Sequence, residues 1–475
     1  MSTDPLPSPP AVPADQVRRQ PAHPPTNGRR AGGGGVNGWL TRSVTAVEER
    51  SDRVMLPVCA LLAVVSVAFA VHEGSTLRFA DEREYVAIAD NLASHATFSL
   101  TGHGATAYRP PTWPMFLGLL RLLGANVVTL RVVNVLILTV TVFVLYRVVA
   151  SWTRPLVGIL AGLLVAGYPL LVYTSTTLYP QTMAGLLLVV VLWLVRRNGR
   201  RPNLDLAGAG IVFGLLVLDV STFVYLLPFL PLFRPNRTTS YLRGLVLLCA
   251  GAVLMVGAWT LRNVFVFHHI FFVSTNSGVN LLLGNSPNAG ADTGVSVDIA
   301  QYTAQASRLP GEVAQNAYYQ QEAISWIIHD PASAAHLYTQ KLLNFFNSSN
   351  ELATQGVGSS LQSAVLTASY ALLGILLIVR LTLWRRIPWR SLTTWCLAMY
   401  FLGALESAVF FTRVRFRGPF DLLLIMAIAP LASILIGPGR PSEPGGLESS
   451  PLVAPSADKA GTIQDVQSVP AEQPQ

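Results

Sequence analysis

The chain is predicted to be an all-α integral membrane protein, with about ten transmembrane helices and two large extracytoplasmic loops that contain interfacial helices. Composition, apolar runs and the placement of arginine predict this. Of 475 residues, 51% are hydrophobic and only 12% are charged, and the mean hydropathy is +0.45; a soluble chain of this size carries more charge. Apolar runs recur at 54–72, 127–149, 156–174, 180–195, 207–219, 221–233, 242–262, 362–380, 391–411 and 419–437. Most approach the roughly 20 residues that a helix needs to cross about 30 Å of hydrocarbon.

In chain order, residues 1–50 are rich in Pro, Gly, Ala and Arg and lack an apolar period, which reads as a disordered cytoplasmic tail. The run from Val54 has no cleavage site after it and should stay as the first span. Segment 73–126 follows and is too long for a turn. It holds two stretches of helical spacing, Tyr85, Ile88, Ala89 and Leu92, then Met115, Phe116, Leu119, Leu120 and Leu123, each fit to lie in the interface. The runs 207–219 and 221–233 are either two short spans meeting at Asp219 or one kinked helix. Segment 263–361 is the second long loop, and residues 438–475 read as a second disordered tail.

Arginine gathers in four short loops: Arg147 and Arg154; Arg196, Arg197, Arg200 and Arg201; Arg234, Arg237 and Arg243; Arg380, Arg385, Arg386 and Arg390. All four fall on one side only if 207–233 counts as two spans. The side enriched in positive charge is cytoplasmic, which puts both termini there and both long loops outside the cell's inner membrane. The net charge of +8 is thereby topology rather than a nucleic-acid surface. Cys59, Cys249 and Cys396 lie inside apolar runs and offer no disulfide or zinc spacing. His268 and His269 lack neighbouring ligand residues, so no metal is expected, and no cofactor motif stands out.

Four loop elements have the residue types for chemistry. Asp81-Glu82-Arg83-Glu84-Tyr85 sits just beyond the first span; a carboxylate there suits a general base, or equally a dipole-favoured helix start. Tyr108-Arg109-Pro110-Pro111-Thr112-Trp113-Pro114 has three prolines in five residues, which fix the backbone around an arginine able to grip a phosphate or anchor to headgroups. The second loop, from Arg262-Asn263 through Asn276 and Asn280 to Gly284-Asn285-Ser286-Pro287, is dense in groups that suit sugar hydroxyls and also suit ordinary turns. Farther on, His329-Asp330-Pro331 and Lys341 fall on an amphipathic return to the membrane. Arg413, Arg415 and Arg417 precede the last span on the side where positive charge is depleted, which points to a lipid phosphate. Asp219 and Asp421, at span ends, are each read as the partner of a nearby Arg.

In this order the elements resemble the GT-C superfamily of polyprenyl-phosphate-sugar transferases, in the branch of the protein O-mannosyltransferases and the lipid A aminoarabinose transferase. Asp81, Glu82 and Tyr85 match its acidic opening, and Arg109, Pro110, Pro111 and Pro114 its Arg-Pro-Pro stretch. Tyr179-Pro180-Gln181, Arg262-Asn263, Gly284-Asn285-Ser286-Pro287, His329-Asp330-Pro331 with Lys341, and Arg415 to Pro419 follow in turn. The likeness covers residues 54–437; Gln181 stands where a Glu is usual, and Asp219-Val220-Ser221 where many relatives carry Arg-Pro. It implies an inverting transfer of sugar from a polyprenyl-phosphate carrier to a hydroxyl acceptor of the cell envelope, on protein, lipid or polysaccharide. Asp81 would be the base and Glu82 would orient it or the acceptor. Arg415 and Arg417 first, then Lys341 and Arg109, would meet the donor phosphate, and Tyr85, Asn276, Asn280 and Asn285 the sugar or acceptor. The rival class is a multi-pass transporter or lipid-linked sugar flippase, which would show inverted repeats or broken midplane helices. A lipid-linked polysaccharide polymerase or ligase shares the substrate chemistry, and an inactive scaffold is suggested only by Gln181 and Asp219.

Overall fold

The computed structural model describes residues 47–197, 201–234, 240–348, 360–387 and 391–436. The predicted tail over 1–46, the second tail from 438, and Arg200, Arg237 and Arg390 lie outside them. Every element among the described residues is helical: α1 (Ser51–Glu73), α2 (Ala80–His95), α3 (Thr112–Leu122), α4 (Val127–Trp152), α5 (Pro155–Ala166), α6 (Pro169–Thr176), α7 (Gln181–Arg196), α8 (Pro202–Asp219), a 3-10 helix (Ser221–Phe233), α9 (Tyr241–Phe267), α10 (Ser277–Gly284), α11 (Ala300–Ala306), α12 (Gly311–His329), α13 (Pro331–Phe345), α14 (Ser360–Thr382), α15 (Leu392–Ser407), α16 (Val414–Ile428) and α17 (Leu431–Ile436), with short 3-10 turns at Gly294–Ser296 and Trp384–Arg386.

Six stretches are long and apolar enough to cross a membrane, rising to seven if the bent pair α5 and α6 forms one span. The ten runs of the sequence are all present as helices, but several are short or broken. Pro169 starts α6 and lacks the N–H a continuing helix needs, so α5 and α6 meet at 56°. Pro228 and Pro231 sit in the element after Asp219, which adopts the tighter 3-10 winding. At about 2.0 Å per residue that winding reaches about 26 Å in thirteen residues, close to the hydrocarbon thickness.

Contacts at its two ends show which way this element runs. The Thr112 hydroxyl donates to the Leu215 carbonyl (3.0 Å) near the end of α8, whereas Phe233 packs on Trp152 at the far end of α4. α8 and the 3-10 helix therefore run in opposite directions and turn at Val220, so 207–233 is two short elements and not one kinked helix. At the end that holds Phe233, Arg147 pairs with Asp52 (2.7 Å) and Arg154 with Glu48; Glu48 lies on a short helical stretch that begins at Val47.

The first long loop carries α2 and α3 side by side. Tyr85, Ile88 and Ala89 of α2 and Trp113 and Leu117 of α3 are buried, while Met115, Leu119, Leu122 and Leu123 form an exposed apolar face. The apolar residues expected to wall a cavity thus divide into a protein-facing and an outward set, as for a helix lying in the interface. In the second loop, Asp330 caps α13 by accepting from the Ser333 N–H (3.1 Å), and Pro331 fills the first helical position, where its missing N–H costs nothing. Arg262 and Asn263 lie within α9, one turn before its end, and not at the opening of the loop. The three cysteines are free.

Candidate functional site

Asp81 lies in the first turn of α2, and two arginines from distant parts of the chain close on it. Arg109 Nη2 donates to Oδ1 at 2.7 Å and Arg415 Nη2 to Oδ2 at 2.8 Å. Arg109 also donates through Nε to Glu84 (2.6 Å), and its guanidinium lies over the rings of Tyr85 (5.2 Å) and Tyr108 (5.3 Å). The Arg415 guanidinium stacks on Tyr179 at 4.2 Å. Burial pushes the Asp81 carboxyl up, but the charges and hydrogen bonds of Arg109 and Arg415 outweigh it and hold the group below the usual 3.8. Burial drives the Tyr85 phenol up to about 12.

The segment that supplies Arg109 is fixed from several sides. Pro110 and Pro111 restrict the backbone, Trp113 Nε1 donates to the Leu178 carbonyl (2.9 Å), and the second loop grips the residues just before. Glu312 accepts from the Thr106 hydroxyl (2.7 Å) and the Ala107 N–H (2.6 Å), while Arg262 donates to the Thr106 carbonyl (3.0 Å).

Arg413 precedes α16 at its N-cap position. Its Nε and Nη2 are buried with no hydrogen-bond partner among the described residues. Gly294, at φ +49°, lets the loop backbone come against this guanidinium, where a Cβ would overlap it. Burial draws Arg413 down to about 10, with Arg415 adding to the effect and Asp81 and Tyr179 opposing it. Arg413 and Arg415 thus sit together beside Asp81 at the positive N-terminal end of a helix.

Other expected ligands are engaged elsewhere. Arg417 donates to Asp421 (3.2 Å) and to the carbonyls of Phe345 and Asn347 (2.8 Å each). Residues two apart on a helix point about 200° from each other, so Arg415 turns to Asp81 and Arg417 to Asp421. Lys341 is fully buried, with Nζ donating to the carbonyls of Gly284 (2.8 Å) and Phe410 (2.9 Å) and to Asn285 Oδ1 (3.1 Å). Asn285 itself donates to Leu281 and Val409, and Gly284 allows the close backbone approach to Phe410. Lys341 and the Gly-Asn-Ser-Pro element therefore form a staple that holds the backbone at Val409 and Phe410, just before Arg413 and Arg415.

Asn276 sits at the N-cap position of α10 without a side-chain capping bond, and its Oδ1 accepts from the Ser274 hydroxyl (2.8 Å). Asn280 is half-buried on the same helix, and no hydrogen bond brings either to Asp81. Glu82 faces away from Asp81. Its carboxylate accepts from the N–H groups of Arg78, Phe79 and Leu178 and pairs with buried Arg131 (3.5 Å). It fixes the start of α2 and so places Asp81. Asp421 has the Arg partner expected of it; Asp219 does not.

The staple carries a prediction. Lys341→Met leaves three or more buried oxygens without a donor, at about 1–3 kcal/mol each. The variant should melt several degrees below wild type in detergent and lose bare polyprenyl-phosphate binding only as far as it unfolds. A stably folded variant with weakened phosphate binding would return Lys341 to the phosphate.

Residues 108–260 match the model of the dolichyl-phosphate-mannose-protein mannosyltransferase family. The matched part begins at Tyr108-Arg109 and ends within α9, so it includes one arm of the clamp on Asp81. Two solved structures align with the chain: ArnT from Cupriavidus metallidurans bound to undecaprenyl phosphate, at 13% identity over 83% of this chain and 78% of that one with a TM-score of 0.36, and the same protein in the apo state, at 13% over 83% and 77% with a TM-score of 0.34. No curated protein gives a significant match.

Proposed function

We propose that this chain is a GT-C-type glycosyltransferase that transfers a sugar from a polyprenyl-phosphate carrier to a hydroxyl acceptor of the cell envelope, with inversion, and that Asp81 is the base. The observation that carries the reading is the Asp81 carboxylate held between Arg109 and Arg415, with Arg413 nearby, whose Nε and Nη2 have no hydrogen-bond partner among the described residues. Asp81 takes the proton of the acceptor hydroxyl as its oxygen attacks the anomeric carbon. The bond from that carbon to the phosphate oxygen breaks, and its electron pair leaves on the polyprenyl phosphate. Arg413 and Arg415, preorganised at the start of α16, meet the charge that gathers there.

The clamp suggests how the base becomes effective. Paired with two arginines, Asp81 is a weak base. An incoming phosphate competes for Arg415 and Arg109, loosens their hold and raises the basicity of the carboxylate only when donor is bound. The orientation follows from charge: the end opposite Asp81 carries Arg147 and Arg154, which supports a cytoplasmic side there and chemistry on the outer face. Donor access from the bilayer suits the exposed apolar face of α3.

The test is transfer of radiolabel from undecaprenyl-phosphate-linked sugars to a crude envelope fraction by membranes that express the full chain. Transfer above that of control membranes is expected with at least one sugar. No transfer with any donor would move the reading to a lipid-linked sugar transporter.

A further inference from the structure

Asp219 is the last residue of α8, 1% exposed, and neither of its carboxylate oxygens has a hydrogen-bond partner among the described residues. The sequence pattern suggested an arginine partner, and none is found among the described residues. Leaving a buried carboxylate without a donor is expensive, so such groups persist where a ligand completes them or where they serve chemistry.

Its surroundings belong to the site already described. The preceding residue, Leu218, packs with Ile88 of α2 and with Phe98 and Trp259, and the Leu215 carbonyl one turn earlier accepts from Thr112 at the start of α3. The Asp219 carboxyl is within electrostatic reach of the Tyr85 phenol, which lies beneath Arg109. Val220 is extended, at φ −140° and ψ 99°, and the chain turns back there, so α8 ends at the level of Asp81 and Arg109. Across the turn, Phe223 stacks on Phe420 of α16 at 4.6 Å. The α8 end is thus bracketed by the two elements that supply Asp81 and Arg415.

Both oxygens of the Asp219 carboxyl are unmet acceptors among the described residues, and what they lack is a hydrogen-bond donor. The carrier phosphate offers acceptors rather than donors, and the isoprenoid chain offers neither. Of the parts of the donor, the hydroxyls of the sugar are the donors that match. Resting on the glycosyltransferase reading, we infer that Asp219 is the specificity-determining residue of this site, taking hydrogen bonds from hydroxyls of the carried sugar. A site built to bond a hydroxyl rejects an analogue that lacks it far more strongly than a site built on shape alone, because the polar group is then left buried and unpaired.

The experiment measures binding to the purified full-length protein of bare undecaprenyl phosphate and of the same carrier bearing mannose, glucose, galactose or arabinose. Wild type should bind at least one sugar-bearing carrier more tightly than the bare one. In Asp219→Ala that increment should fall about tenfold or more, with binding of the bare carrier unchanged and a melting temperature no lower than wild type, since the carboxylate has no protein partner to lose. Asp219→Asn, which keeps one acceptor oxygen, should fall between. An increment retained in Asp219→Ala, or absent from wild type with all four sugars, overturns the assignment. So does a variant that melts lower and loses bare and sugar-bearing carriers alike, which marks a structural role. Wild type that binds no carrier at all overturns the glycosyltransferase reading and takes this assignment with it.

Discussion

Asp81→Asn should reduce sugar transfer by about 10²- to 10⁴-fold, the contribution of a positioned general base, while the protein inserts and folds as wild type does. The amide keeps the shape and still accepts a hydrogen bond from an arginine, so geometry is spared and proton abstraction is lost. The variant should also bind bare undecaprenyl phosphate more tightly than wild type, because the carboxylate that competes for Arg109 and Arg415 is gone. Loss of turnover with equal or weaker phosphate binding would leave the base and remove the proposed competition; unchanged turnover would remove Asp81 from the chemistry.

The same clamp fixes the sign of the pH dependence. Arg109 and Arg415 keep the carboxyl below its ordinary 3.8. In the free enzyme Asp81 therefore stays ionised through neutral and mildly acidic pH, and kcat/KM should show no acid limb from this group above about pH 4. Its pairing contributes stability that is present above the unfolded value and lost as pH falls through the lower folded value. The stability difference between wild type and Asp81→Asn should accordingly shrink as pH drops below 3.8. An acid limb near pH 6 that Asp81→Asn abolishes would contradict the ion-paired geometry.

The second large effect is expected at Arg413. Arg413→Gln should lower kcat by about 10²- to 10³-fold, the range seen when one preorganised stabiliser of developing charge is removed. It should do so without lowering the melting temperature, since its buried Nε and Nη2 have no partner among the described residues to abandon. Arg413→Lys should recover only part of the rate, because a point charge cannot reproduce a planar fork. Arg417→Gln provides the contrast: it breaks a buried pair with Asp421 and two carbonyl contacts, and so should lose stability first. A stable Arg417→Gln with the larger loss of rate would restore Arg417 as the phosphate ligand.

Hydropathy runs and arginine placement made the helical membrane fold legible, because a segment in hydrocarbon must satisfy its backbone internally and a helix is the local way to do so. The acidic opening at Asp81 and the proline-fixed Arg109 were legible too, since proline acts on its own backbone and the carboxylates mark the start of a helix. What each charged residue does was not written locally. Lys341, Asn285 and Glu82 have the residue types of ligands, yet their partners lie dozens to more than a hundred residues away, and only the packed chain shows those polar groups spent on one another. Arg415 and Arg417 are indistinguishable as letters; the start of α16 at Val414 turns one toward Asp81 and the other toward Asp421. Asp219 was assigned a neighbour it does not have, because a span end gives no sign of which face will be left without a donor. The sequence by itself determined that this chain is a bundle of membrane helices with acidic and basic residues at its loops, since burial and backbone satisfaction act residue by residue. Which charges meet, and which stay open for a substrate, was decided by tertiary structure, because electrostatic pairing depends on distances across the fold that no local pattern encodes.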